Sequence, residues 1–66
     1  MEDKFQITLS AARVNANYSQ KKAAQLLHVD PMTLRNWEKG ITYPTSKKIE
    51  EMEILYKISK DRIKFA

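Results

Sequence analysis

The run from Asp30-Pro31 to Gly40 constrains this chain more than any other stretch. Proline drives the residue before it toward extended backbone angles, as a helix N-cap requires. Its missing N–H costs nothing at the first position of a helix. Gly40, the single glycine among 66 residues, is the residue type that ends a helix in a left-handed turn. Between these marks Leu34 and Trp37 fall three residues apart on one face. The spacing predicts a helix over residues 31–39, buried along Leu34 and Trp37 and open along Pro31, Met32, Arg35 and Asn36.

Similar punctuation divides the rest. A first helix is expected over residues 8–16, capped by Thr8, with Leu9, Ala12 and Ala16 on one face and Asn17 able to end it in a left-handed turn. Phe5 and Ile7 stand ahead of it as lids on the core. A second, over 19–27, is capped by Ser19, carries Ala23, Ala24 and Leu27 inward and stops near His28. Residues 41–44 form a loop. Thr45 or Ser46 caps a fourth helix ending at residue 56, with Ile49, Met52, Leu55 and Tyr56 inward and Glu50, Glu51 and Glu53 outward. Ser59 caps a last short helix over 60–65, anchored by Ile63. No segment alternates apolar and polar residues over a strand's length. The expected fold is all-α: five short helices in one domain spanning residues 1–66.

A chain this short buries only about 60% of the surface its unfolded form exposes. It has no Cys, so neither a disulfide nor a thiolate metal site staples it. Its stability must come from packing, most readily from helices with local contacts. No apolar run approaches the roughly 20 residues that span a bilayer, and the first residues do not lead into a signal peptide's apolar region. A cytoplasmic protein without a membrane partner is expected.

Twelve Lys and Arg against eight Asp and Glu give a net charge of +4. The excess is local. Between Tyr18 and Lys48 stand Lys21, Lys22, Arg35, Lys39, Lys47 and Lys48, with only Asp30 and Glu38 opposing them. A basic centre on a small domain points toward a polyanion.

The second and third helices, joined by a tight turn, have the makings of a helix-turn-helix. That motif needs a small residue where its helices cross and apolar positions that fix the crossing. Counting from Gln20, Ala24 is fifth, while Ala23, Leu27, Val29, Leu34 and Trp37 are fourth, eighth, tenth, fifteenth and eighteenth. Each is filled by the required type.

On Ala12-Arg13, Ser19-Gln20, Ala24, Val29, Thr33-Leu34, Trp37-Glu38, Gly40 and Pro44, the chain resembles the lambda-repressor-like (Cro/CI-type, XRE) DNA-binding domains, from about Leu9 to Ile63. The resemblance implies a five-helix bundle whose third helix enters the DNA major groove, and a dimeric transcriptional regulator. It also implies a structural ion pair between Arg13 and Glu38, a phosphate contact from Gln20, and backbone N–H groups after Gly40 facing the other strand. The chain departs from the family at Asn17, His28 and Lys57, where glycine is usual, and at Pro31, where a polar base-reading side chain often stands.

Phosphate contacts position such a protein, and base-edge contacts specify the sequence. Arg35 can pair bidentately with guanine and Asn36 with adenine. Pro31 and Met32 can pack on thymine methyls, and Thr33 fits either role. Gln20, Lys21, Lys22, Lys39, Thr42, Tyr43, Lys47 and Lys48 are the candidates for phosphate. The expected partner is a double-stranded operator bound by a homodimer, with Tyr56, Ile58, Ile63 and Phe65 as the dimer surface. A protein-interaction module, antirepressor or antitoxin-like, is the alternative, since Pro31 and Met32 put apolar surface where readers usually stand. Trp37 reads as core and His28 as an exposed turn residue. No nucleophile, His partner or Gly-rich loop accompanies the glutamates of the fourth helix, so no enzyme, metal, cofactor or small-molecule ligand is expected.

Overall fold

The computed structural model describes residues 5–65. Four α-helices account for most of it: α1 (Leu9–Asn15), α2 (Gln20–Leu26), α3 (Pro31–Lys39) and α4 (Ser46–Tyr56). Each begins at an extended residue whose side chain accepts a backbone N–H of the first turn. Thr8 takes that of Ala11, Ser19 that of Lys22, Asp30 that of Met32 and Thr45 that of Lys48. Each such bond satisfies one donor that the helix itself leaves orphaned. Among the two candidates for the fourth cap, Thr45 is the one used.

The helix ends are left-handed where the sequence allows it and also where it resists. Gly40 has φ 77°, and Ile41 N–H reaches back to the Asn36 carbonyl at 2.9 Å, which closes α3 in a Schellman-type turn. Asn17, His28 and Lys57 have φ of 67°, 59° and 58°. All three positions where the family resemblance expects glycine keep the backbone glycine would have.

The fifth helix is not formed. Only Lys60–Arg62 coil, as a single 3₁₀ turn closed by the Ser59 hydroxyl on Asp61 N–H and the Glu53 carboxylate on Lys60 N–H. The chain then extends. Ile63–Lys64 (β2) pairs in parallel with Ile7–Thr8 (β1), Ile63 opposite Ile7 and Thr8 opposite Lys64. So short a segment gains too few helical bonds to offset nucleation, whereas β-branched Ile63 suits the extended state. Two side chains reinforce the junction: Arg62 Nε donates to the Phe5 carbonyl at 2.9 Å, and Gln6 Nε2 to the Asp61 carbonyl at 3.2 Å.

The core is one cluster: Leu9, Ala12, Ala23, Ala24, Leu27, Leu34, Trp37, Met52, Tyr56 and Ile63. Ile7 packs on its edge as expected of a lid, but Phe5 stands in solvent. The proposed dimer residues also need correction. Tyr56 and Ile63 are buried, because the ring of Tyr56 lies against Tyr18 and the strand pairing turns Ile63 inward. Ile58 and Phe65 are half-buried against the same core.

Candidate nucleic-acid interface

Ala23 and Ala24 are fully buried, and their small side chains let α2 lie close to α3. With Leu34 and Trp37 directed into the core, α3 keeps its opposite face free. Pro31, Met32, Arg35 and Lys39 are exposed, and Thr33 and Asn36 half-exposed. Arg35 Nη1 points back to the Met32 sulfur at 3.7 Å. Trp37 is 8% exposed and so is core, not a stacking platform for bases.

The two acids of the basic segment are both engaged. Asp30 Oδ1 accepts the Met32 N–H at 2.8 Å. Glu38 meets Arg13 of α1 in a two-pronged pair, Nε to Oε2 at 2.7 Å and Nη2 to Oε1 at 3.3 Å. The side chains of this pair are 13% and 6% exposed. The remaining Arg13 nitrogen, Nη1, donates to the Tyr18 carbonyl at 2.9 Å. A carboxylate so covered offers an approaching phosphate little repulsion. The ion pair implied by the resemblance is therefore present, and it joins α1, α3 and the chain between α1 and α2.

Beside this pair lies the hydroxyl of Tyr56, buried and without a hydrogen-bond partner among the described residues. Its pKa is pushed from 10.0 up to about 12, first by burial and then by the Glu38 charge, with Arg13 opposing.

Around α3 the expected phosphate-binding groups divide into two kinds. Lys21, Lys22, Lys39, Thr42, Tyr43 and Lys47 are exposed. Gln20 is half-buried, and its Nε2 donates to Glu38 Oε1 at 2.9 Å. Lys48 is drawn away altogether. Its ammonium donates to the Leu27 carbonyl at 2.6 Å and pairs with Glu51 at 3.2 Å, so it caps the end of α2. No sequence signal marks the bonds of Gln20 to Glu38 and of Lys48 to Leu27, whose partners lie 18 and 21 residues away; only the Lys48–Glu51 pair has helical i,i+3 spacing. His28 is an exposed residue of the turn between α2 and α3. Away from α3, a shallow groove of about 370 Å³ lies between α2 and α4, lined by Leu26, Leu27, His28, Glu51, Ile54 and Leu55. Among the described residues no helix is long and apolar enough to cross a membrane.

A family model described as Helix-turn-helix matches residues 9–63. No curated protein and no solved structure matches the chain. The family match runs from the first residue of α1 to the strand pairing, and thus takes in the capped α2–turn–α3 unit and the bundle that carries it. With that span and that arrangement, the chain belongs to the helix-turn-helix family of the lambda-repressor-like (XRE, Cro/CI) type, a family of DNA-binding transcriptional regulators.

Proposed function

We propose that the chain is a sequence-specific repressor that binds double-stranded operator DNA as a homodimer, with α3 in the major groove. The observation carrying this reading is the free face of α3: Arg35, Asn36 and Lys39 face outward, while both nearby acids are occupied. In the proposed complex Arg35 reads guanine and Asn36 adenine, each worth about 1–3 kcal/mol of discrimination. Pro31 and Met32 pack on thymine methyls, and Thr33 supports either kind of contact. Gln20, Lys21, Lys22, Lys39, Thr42, Tyr43 and Lys47 hold the backbone; Lys48 is left out, being bound to Leu27 and Glu51. A two-fold dimer sets its recognition helices about 34 Å apart, one turn of DNA.

Selection of bound duplexes from a random pool tests this directly, because it reports binding, half-site symmetry and spacing together. On a selected duplex, Arg35→Ala should relax preference at one half-site position, whereas Lys39→Ala should weaken all sequences alike. Equal losses on specific and random DNA for both variants would overturn these roles, and a single bound copy in sedimentation would remove the dimer. A second reading, a protein-interaction module, draws on the exposed Pro31 and Met32 and the apolar groove beside Ile54. Salt separates the two. DNA affinity falls with a log–log slope near −0.9 per phosphate contacted, whereas an apolar protein interface barely responds.

A further inference from the structure

We propose that Glu38 is a positioning residue for DNA binding: its carboxylate holds the Gln20 side-chain amide where the amide's second N–H meets a phosphate. This rests on the DNA-binding reading above and on the place of Gln20 within it. The hydrogen bond itself fixes the sense of the amide. A carboxylate only accepts, so the NH₂ end of Gln20 and not its carbonyl must face Glu38 Oε1, at 2.9 Å. That amide has two hydrogens, and one is left for another acceptor.

Glu38 is a firm anchor. Arg13 grips both of its oxygens, and the Tyr18 carbonyl holds Arg13 in turn. A free glutamine must surrender rotamer freedom when it binds a phosphate, and one already fixed surrenders less. Glu38 also lies on α3, three residues beyond Arg35. The helix that carries the base-reading residues thereby also anchors the backbone contact from α2. The Arg13–Glu38 pair, needed for packing, acquires a second purpose in binding.

The test uses a duplex selected from a random pool and carrying one uncharged methylphosphonate at each backbone position in turn. For the native chain one such position should cost roughly tenfold in affinity through Gln20, the scale of a hydrogen bond to a charged group. Gln20→Ala should lose about as much on the unmodified duplex and become insensitive at that position. The pair is then removed as a unit by Arg13→Met with Glu38→Leu, which leaves no charge unpaired. This double variant should keep its base preference and its response at other phosphates but lose most of its sensitivity at the Gln20 position. Arg13→Met with Glu38→Gln, which returns a carbonyl acceptor to Gln20, should restore it.

Full sensitivity in the Arg13→Met, Glu38→Leu protein would overturn the proposal and leave Glu38 purely structural. Native affinity in Gln20→Ala would remove the contact and the proposal with it, while the DNA-binding reading would stand on the duplex still bound. A measurement on the unaltered chain guards against variants that do not fold. The Gln20 side-chain amide should show one fixed χ geometry in the free protein, unchanged on DNA; rotamer averaging in the free protein would equally overturn the idea.

Discussion

His28 and Lys57 sit in left-handed backbone that glycine occupies without cost and other residues occupy at about 1 kcal/mol. His28→Gly and Lys57→Gly should therefore each raise the unfolding free energy, by up to about 1 kcal/mol in urea denaturation. The greater freedom of glycine in the unfolded chain reduces the gain, and a loss at both sites would show that the imidazole and the ammonium stabilise these turns. Tyr56 makes a different prediction. Its phenol titrates near 12 in the folded protein against 10.0 unfolded, so folding is insensitive to this group below pH 10. As pH rises from 10 toward 12 the unfolded state loses its proton first, and stability falls, by at most tenfold in the unfolding constant per pH unit. Tyr56→Phe should lack that component of the slope and be at least as stable at neutral pH, since it removes a buried hydroxyl without a partner among the described residues. Parallel pH–stability curves for the two proteins would refute the assignment.

Elements are where the sequence was most legible, because caps are local. Thr45 bonds Lys48 N–H at 3.2 Å while Ser46 is the first residue inside α4. Thermal unfolding should register a loss of about 1 kcal/mol for Thr45→Ala and almost none for Ser46→Ala; the reverse order would move the cap by one residue. The bounds of α3 are those that Asp30-Pro31 and Gly40 predict, since proline and glycine act through their own backbone. The two-stranded sheet was not legible. Two-residue strands are too short to show a period of two, and their partners stand 56 residues apart. The engagements of Gln20 with Glu38 and of Lys48 with Leu27 escaped for the same reason, being set by how helices cross. Arg13 with Glu38 was legible only through family resemblance.

At the scale of the molecule, the Arg13–Glu38 pair joins α1 to α3 and holds the chain leading into α2. Arg13→Ala would leave a nearly buried carboxylate unpaired, at a cost of about 3–5 kcal/mol. A domain this small has a total stability of only several kcal/mol. The variant should thus be largely unfolded at moderate temperature by circular dichroism, whereas Arg13→Met with Glu38→Leu should regain most of the loss. A native-like melting curve for Arg13→Ala would show that the pair is not a structural tie. The charge pattern agrees with this architecture: the basic excess read in the middle of the chain falls on α2, α3 and the start of α4, while Glu38 is paired with Arg13 and Asp30 is an exposed cap on α3.

The parallel clasp of β1 and β2 has a temporal consequence. Its partners lie nearly a chain length apart, so the entropy of closing so long a loop must be met before their few bonds form. The helices and their crossings can assemble from nearer neighbours, which leaves the clasp as the last piece to shut and the first to open. Weakening it should leave the rate of folding nearly untouched and hasten unfolding instead, making Ile63 and Lys64 a latch on the lifetime of the native domain.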